Sequence, residues 1–474
     1  MAFRLIVVPQ GFDTQANQVL SETQTLPLTH APESLSIARS YTIDIDFADK
    51  KKIALGKLFY SPELERVYLD TMPLTPETTW ILEIGFRPGV TDNLGATAQE
   101  TIEDYLGKTL PISPAVFSSK LYFFSGRLKR TDVELIANTL HNSLIERAEI
   151  FEAKRLESKP LALIVPRVAV DFAPRADEVN LWVADEELVK IGNQGIEDED
   201  GARRGPLALS LDALKVIRNH FHGLGRNPTD IELESLAQTW SEHCKHSIFA
   251  DPLDEITEGI YKKYIKGATR AIRAKKGKRD FCVSVFTDNA GAVEFDEEYL
   301  VTHKVETHNS PSALDPFGGA ITGIVGVNRD ALGFGMGAKP IANVYGFCTG
   351  NPNDKRTLYR DSEGEQPLLS PKRILNGVVA GVNEGGNQSG IPTPQGFVHI
   401  DDRFRGKPLV FAGTLGMLPK KRGKQLLHEK TAQAGDYIIV VGGRVGLDGV
   451  HGATFSSVAL DSDSPATAVQ IGDP

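Results

Sequence analysis

The sequence predicts a multidomain protein that combines α/β and α+β architecture, and three observations support this fold class. The chain has 474 residues, which corresponds to about three domains at roughly 150 residues each. Hydrophobic residues make up 41% and charged residues 24% of the chain, which is typical of domains with apolar cores. Short apolar runs typical of strands alternate with amphipathic stretches typical of helices.

The first 157 residues are predicted to form a small α+β or α/β domain. Strands are predicted at 4–8, 65–70, 79–86 and 120–124. One helix is predicted after the turn at 87–93, and a second over 132–147 with Thr131 as its N-cap. No pattern of catalytic side chains occurs here, so we interpret this region as a packing or assembly domain.

The next region, residues 158–255, is predicted to be a linker that ends in helices. Residues 158–205 have a linker-like composition, and a helix is predicted over 210–222. Another helix begins at Thr229, where Glu232 completes a capping box. Its core-facing residues are predicted from helical spacing to be Leu233, Leu236, Ala237 and Trp240. His243 continues this face, and spacing alone favours a buried, hydrogen-bonded histidine over a catalytic one.

Composition argues against several classes of protein. The net charge of −10 disfavours a general binder of nucleic acid or anionic membranes. Cys244, Cys282 and Cys348 are too far apart for a Cys-x-x-Cys pair, which favours a reducing compartment. No apolar stretch approaches the ~20 residues of a membrane span, and no signal peptide is expected. We therefore predict a cytoplasmic protein.

A basic run lies at residues 262–279. It is compatible with a nucleic-acid site, a solvated helix face, or attraction of phosphate to an active-site mouth. Sparse aromatic residues favour the solvated face over the nucleic-acid site, and the third alternative stays open.

The densest chemical pattern lies in a predicted strand over 300–308. Because side chains alternate across a strand, Thr302, Lys304, Glu306 and His308 are expected on one face. Such groups can grip a phosphate, hold a hard cation and transfer a proton. They also fit an edge strand with a solvated polar face, and the strand alone leaves both interpretations open.

A glycine-rich segment after this strand favours the first interpretation. Gly318, Gly319, Gly323 and Gly326 are predicted to form a path whose backbone amides approach an anion closely. Beyond it, Arg329 could pair with a phosphate, and Asp330 could supply an oxygen ligand for magnesium. The segment contains neither a Walker A loop nor a dinucleotide-binding fingerprint.

Several motifs together resemble the formylglycinamidine ribonucleotide synthetase (PurL) family. They occur in family order from about residue 205 to the end, at 241–246 (Ser-Glu-His-Cys-Lys-His), 303–312, 315–320, 327–330, 390–393, 442–449 and 469–474. The N-terminal domain resembles a PurS-type domain, mainly through Pro-Gly-Val-Thr-Asp at 88–92.

The resemblance implies a division of the chain. It predicts a PurS-like α+β domain at 1–157, followed by a helical linker domain with the Ser-Glu-His-Cys helix at 158–255. A PurM-like ATP-handling domain, of the aminoimidazole ribonucleotide synthetase type, then has its N-terminal subdomain at 256–425 and the start of a truncated C-terminal subdomain at 426–474. The family has two tandem halves of this type, so we expect these 474 residues alone to be inactive.

The resemblance also implies a reaction. The family uses ATP to activate the amide oxygen of formylglycinamide ribonucleotide as an iminophosphate, and ammonia from a glutaminase domain or subunit then displaces phosphate. The implied catalytic residues are His243 and His308, with His308 as proton acceptor. The implied contacts are His246 and Lys304 for ATP, Glu306 and Asp330 for Mg²⁺, and Thr307, His308, Asn309, Ser310, Arg329 and Gln470 for the substrate.

One departure from the family pattern concerns Ser310, which stands where many members have a second histidine. A hydroxyl can bind phosphate but cannot act as a base near neutral pH. Two alternative functions remain: another ATP enzyme of the PurM superfamily, or a non-catalytic assembly or regulatory module. The Ser-Glu-His-Cys helix argues against the first, and substrate binding without turnover would favour the second. No nucleic-acid or membrane partner is expected.

Overall fold

The computed structural model describes residues 2–156, 161–167, 176–198, 201–240, 247–364, 366–430 and 432–439. The chain divides into two compact units, unit 1 with residues 1–171 and 471–474, and unit 2 with residues 172–470. This division does not test the finer domain boundaries, which stay predictions. No helix in the described ranges is long and apolar enough to cross a membrane.

Unit 1 consists of one sheet with helices packed on it. Its elements are, in chain order, β1 (Phe3–Pro9), α1 (Thr14–Thr23), β2 (Ser34–Ile43), α2 (Asp49–Gly56), β3 (Glu65–Leu69), β4 (Thr78–Phe86), α3 (Asn93–Leu106), β5 (Val116–Ser125), α4 (Arg130–Leu140), β6 (Glu146–Glu152) and α5 (Ala153–Leu156). All neighbouring strands are antiparallel, in the order β3-β1-β2-β5-β4-β6. Unit 1 is therefore an α+β domain.

Both faces of this sheet are buried, because successive residues of β1 point in opposite directions. Leu5 packs in a core with residues of α2 and α3. Ile6 packs on the other face with Ala153, Leu156 and Leu161. Helix α5 and Leu161 thus cover part of the sheet face that the larger helices leave open.

The two halves of unit 1 repeat each other with an offset of 79 residues. Strand pairs of the first half recur in the second, with Phe3–Ile43 matched by Leu82–Tyr122 and Leu5–Leu69 matched by Ile84–Ala148. The halves join through β2 and β5, where Ser40 pairs with Ser119, again 79 positions apart. This register places a local two-fold axis between these two serines.

The same offset relates two helix N-caps. Asp13 accepts a hydrogen bond from the backbone N–H of Ala16 at 3.0 Å, and Asp92 accepts one from Gly95 at 2.7 Å. Each carboxylate satisfies a backbone donor that the first helical turn leaves unpaired.

Most elements predicted for this region are confirmed, but the second helix is not as predicted. It begins at Arg130 after the N-cap Lys129 and ends at Leu140, so Thr131 is not the cap. Residues 146–152 instead form β6, which pairs with β4 along its whole length. The predicted helix thus extends into β6 at residues 146 and 147, where pairing with β4 decides the structure.

Unit 2 has a helical part followed by a second sheet. Its elements are α6 (Asp185–Gln194), α7 (Leu211–Gly223), α8 (Asp230–Trp240), α9 (Ser247–Ala250), α10 (Gly267–Lys276), β7 (Cys282–Ser284), β8 (Gly291–Glu294), β9 (Tyr299–Thr307), α11 (Asn309–Leu314), α12 (Pro316–Leu332), β10 (Lys339–Thr349), α13 (Pro371–Gly385), β11 (Gln395–Ile400), β12 (Leu409–Pro419), β13 (Lys421–Arg422) and β14 (Gln425–Leu426).

The helical part contains more regular secondary structure than its linker-like composition predicted. Helix α6 lies within the stretch predicted to be a linker, and its Leu188 is fully buried in a core shared with α7 and α8. The capping box is confirmed, with Thr229 N–H donating to the Glu232 carboxylate at 2.9 Å. Trp240 was wrongly predicted to face this core and is 49% exposed.

The basic run forms exposed helix. A π-helical turn spans Tyr261–Lys266 and leads into α10, and neither element contains a buried residue. This arrangement agrees with the solvated face favoured by the sequence.

The second sheet has the order β11-β10-β12-β9-β8-β7. Helices α12 and α13 pack together on it and share a core with β10 and β12. Close packing depends on Gly377, Gly381 and Gly385, one turn apart on α13, because a side chain at any of them would collide with α12. The sheet and this helix pair position the candidate site.

Candidate functional site

Lys304 lies between two carboxylates at the centre of the candidate site. Its Nζ is 3.1 Å from Oδ2 of Asp330 and 3.6 Å from Oε2 of Glu306. Strand β9 supplies the lysine and the glutamate, and the last turn of α12 supplies the aspartate. The structure thus brings together three side chains that the sequence predicted to act on ATP and magnesium.

These three groups are accessible to different degrees. Asp330 is 16% exposed and Lys304 26%, whereas Glu306 is 53% exposed. Arg329 extends into solvent, 80% exposed, with Nη2 3.5 Å from Oδ1 of Asp330. The ion pairs that Glu306 and Arg329 make are exposed and contribute little to stability, so these two side chains are available for ligand binding.

His308 lies directly after β9 and is held by the backbone of α12. Its Nδ1 is 2.6 Å from the carbonyl oxygen of Gly319. A carbonyl oxygen only accepts hydrogen bonds, so Nδ1 carries the proton and Nε2 is the basic nitrogen. Burial lowers the pKa of His308, although the Gly319 carbonyl and the charge of Glu306 oppose this effect. The imidazole is therefore neutral near pH 7.

The residues beside His308 fix the end of the strand. Asn309 Oδ1 accepts a hydrogen bond from the backbone N–H of Val410 at 2.9 Å, and its Nδ2 donates to Thr307 Oγ1 at 3.3 Å. Ser310 is buried, 2% exposed, whereas Thr307 is exposed. The roles of these three residues in substrate binding stay predictions.

The glycine-rich segment does not form the predicted path of backbone amides close to an anion. Residues 309–314 and 316–332 form helices α11 and α12, and the four glycines lie in α12. Packing requires glycine at 319, since a Cβ there would lie 2.6 Å from Ser312 Cα, and a Cβ on Gly323 would make a tight contact of 3.2 Å with His308 Cβ. The small residues let α12 approach His308 and present no continuous loop of amides to an anion.

Three predicted site residues fall outside the described ranges. His243 and His246 lie within 241–246, and Gln470 lies beyond 439. Their catalytic, ATP-binding and substrate-binding roles stay predictions.

A buried polar network supports the site and was not found from the sequence. The amide Nδ2 of Asn343 donates to Asn328 Oδ1 and to Thr414 Oγ1, each at 2.7 Å. Thr414 Oγ1 also donates to Asn328 Oδ1 at 2.7 Å. The network ties β10, β12 and α12 together behind Lys304. Asn343 interrupts an apolar strand pattern, and that interruption was the available signal.

The carboxylates of Glu306 and Asp330 fit a metal site in which a bound ligand supplies part of the coordination. Within the described part of the chain, no three His, Cys, Asp or Glu side chains gather around one point. Magnesium is commonly held by one or two carboxylates together with phosphate oxygens and water. The ammonium of Lys304 already occupies a cationic position between Glu306 and Asp330, so this donor set fits a magnesium ion bound together with a phosphate-bearing ligand.

Two family models match unit 2. The formylglycinamide ribonucleotide amidotransferase linker domain matches residues 199–246, and the N-terminal domain of AIR synthase related protein matches residues 287–418. The second match contains Lys304, Glu306, His308 and Asp330, so the site lies in an AIR synthase related domain.

Curated relatives are PurL subunits of phosphoribosylformylglycinamidine synthase. The protein from Thermoplasma volcanium is 38% identical over 275 residues, 58% of this chain and 32% of that relative. The one from Thermoplasma acidophilum is 38% identical over 287 residues, 59% of this chain and 34% of that relative. These matches, with the two family models, show that the chain contains a PurL-type N-terminal portion.

A similar solved structure is Thermotoga maritima PurL complexed with FGAR. It is 30% identical and covers 55% of this chain and 35% of its own, with a TM-score of 0.38. The chain spans about a third of the length of the curated relatives that it matches.

Proposed function

We propose that this chain supplies the ATP- and magnesium-binding part of a phosphoribosylformylglycinamidine synthase. The reaction is the ATP-dependent amidation of formylglycinamide ribonucleotide to formylglycinamidine ribonucleotide in purine biosynthesis. Support comes from the names of the curated relatives and from the site in the AIR synthase related domain. The same proposal includes a cytoplasmic location.

The observation that carries this proposal is the position of Lys304 between Glu306 and Asp330. Without a bound nucleotide, the ammonium offsets one of the two negative charges of these carboxylates. A triphosphate offers the ammonium a stronger anionic partner, and the carboxylates are then released to a hard cation. Magnesium, when bound there, would neutralise phosphate charge in the transition state.

His308 would accept a proton from the attacking ammonia. Its Nδ1 is committed to the Gly319 carbonyl, so Nε2 is the atom that takes the proton. The lowered pKa keeps this nitrogen unprotonated at neutral pH, as a general base requires. Asn309 holds the strand end beside it through Val410.

The proposal also includes partners that are not part of the described site. Ammonia would come from a glutaminase domain or subunit, as the resemblance to the PurL family implies. We also propose that unit 1 is a PurS-like assembly domain, which its duplicated α+β sheet supports by having two equivalent halves for contacts.

Metal binding with and without nucleotide tests the central observation. Lys304→Met should bind Mn²⁺ alone more tightly than the unmodified chain does, because the carboxylates lose their internal cation. The same variant should bind a non-hydrolysable ATP analogue with Mg²⁺ at least roughly tenfold more weakly, the size of one charge-assisted hydrogen bond. Isothermal titration measures both.

Lys339→Met is the matched control, since Lys339 is an exposed lysine on β10 of the same sheet. It should leave both affinities unchanged. Equal Mn²⁺ and nucleotide affinities in Lys304→Met and the unmodified chain would contradict the proposed site.

A further inference from the structure

An ion pair between two residues that are far apart in the sequence holds the backbone that follows Asp330. Lys430 Nζ lies 2.7 Å from Oδ1 of Asp288, which is 9% exposed. Asp288 Oδ2 also accepts a hydrogen bond from the backbone N–H of Gly335 at 3.2 Å. Lys430 donates in addition to the carbonyl oxygen of Gly333. One ion pair therefore holds two points of the loop that follows α12.

This loop has little freedom to adopt another path. Gly335 has a φ of 53°, a left-handed conformation that favours glycine, and a side chain there would collide with the carbonyl oxygen of Leu427. The N–H of Met336 donates to the same carbonyl oxygen at 2.7 Å. The segment containing Leu427 and Lys430 thus packs along the loop that Asp288 holds from the other side.

This loop directly follows the end of α12 that carries Asp330, the proposed magnesium ligand. Gly333 follows Asp330 by three residues, and its N–H donates to the carbonyl oxygen of Arg329 at 2.8 Å. A lysine at the carboxyl end of a helix also interacts favourably with the helix dipole. Movement of Gly333 would therefore displace the last turn of α12 and with it the carboxylate of Asp330.

We propose that Asp288 and Lys430 are positioning residues that hold Asp330 in place for magnesium and Lys304. This inference rests on the proposed function, because it assigns a purpose to the geometry of that site. Neither residue contacts the Lys304 cluster through any described interaction, so both act through the backbone of Gly333 and Gly335. Burial raises the pKa of Asp288, but the Lys430 ammonium and the Asn289 and Gly335 N–H groups outweigh it and lower this pKa. The carboxylate is thus charged at neutral pH.

The test measures magnesium dependence and backbone protection in the same variants. Lys430→Met and Asp288→Asn should raise the Mg²⁺ concentration needed for half-maximal binding of a non-hydrolysable ATP analogue by about 10–100-fold, as for residues that orient metal ligands. Hydrogen exchange at Gly335 should become faster in both, even without nucleotide. Lys430→Arg should restore both properties, because it keeps the charge.

Lys424→Met is the matched control, since Lys424 is an exposed lysine in the turn between β13 and β14, and it should behave like the unmodified chain. Faster exchange with unchanged magnesium dependence would overturn the inference and leave the pair a purely structural role. Unchanged exchange in Lys430→Met and Asp288→Asn would overturn it as well. An unmodified chain that binds no nucleotide at any magnesium concentration would instead overturn the proposed function, and the positioning role with it.

Discussion

At the scale of single residues, the environment of His308 decides which chemistry this side chain can perform. Its Nδ1 is fixed by Gly319, and burial disfavours the charged imidazolium. Both effects prepare Nε2 to accept a proton. An exposed histidine with the ordinary pKa of about 6.5 would be partly protonated in the same pH range.

We expect His308→Ala to reduce amidine formation at least ~100-fold, the usual scale for loss of a general base. The assay requires an enzyme that joins this chain to the further length found in its curated relatives. In the unmodified enzyme, the acidic limb of the kcat/KM profile should lie below the usual histidine pKa, because the folded-state pKa is lowered. Binding of the ATP analogue should change little. Near-normal turnover in His308→Ala would contradict the assignment.

The lowered pKa of His308 also predicts the direction of a stability change. The unfolded chain binds more protons than the folded chain between the lowered folded pKa and the ordinary unfolded pKa. The contribution of His308 to stability is therefore complete above about pH 6.5 and declines as the pH falls toward the folded value.

At the scale of elements, α12 connects His308 and Asp330, the proposed magnesium ligand. Its first turns contact His308 through Gly319, and its last turn carries Asp330. The glycines of this helix were visible in the sequence, but their purpose was not. Helix propensity counts against glycine, and only the packing of α11 and His308 against α12 explains why a helix forms there.

We expect Gly319→Ala and Gly326→Ala to change stability in opposite directions. A Cβ at Gly319 would meet Ser312 Cα at 2.6 Å, whereas no atom lies within 4 Å of a Cβ at Gly326. Overpacking should cost about 1–3 kcal/mol at the first position. Replacing a helical glycine that has open space for a Cβ should stabilise the second by up to about 1 kcal/mol. Urea unfolding measures both, and equal effects would show that packing around Gly319 is not tight.

At the scale of the whole molecule, the sequence predicted local motifs better than long-range pairing. The capping box at Thr229 and the polar pattern of β9 depend on neighbouring residues, and both are confirmed. The duplication of unit 1 depends on strand register, so it was missed although Asp13 and Asp92, both helix N-caps, stand 79 positions apart. The Asp288–Lys430 pair was also missed, because it joins residues 142 positions apart.

The duplication also places opposite charges at equivalent positions of the two halves of unit 1. Arg4 and Glu83 are 79 residues apart and are buried, 2% and 1% exposed, with Nη1 3.2 Å from Oε2. Ser119 also donates to Glu83 Oε1 at 2.9 Å. The pair lies on the same sheet as the Ser40–Ser119 pair that marks the local two-fold axis.

We expect Glu83→Gln to lower the free energy of unfolding of unit 1 by about 3–5 kcal/mol, because it leaves the Arg4 guanidinium buried without its counter-charge. Replacing both residues, as Arg4→Met with Glu83→Leu, should cost less than the single change, since only Arg147, which is 16% exposed with Nη2 3.5 Å from Glu83 Oε1, then loses this carboxylate. Glu149→Gln is the control, because Glu149 faces Glu83 across the β4–β6 pairing and is only partly buried. Calorimetry of the 474-residue chain should show the lower stability in one unfolding transition. Binding of Mg²⁺ with an ATP analogue should raise the midpoint temperature of the other transition only. A double variant less stable than Glu83→Gln would show that the two side chains stabilise unit 1 through separate contacts rather than as an ion pair.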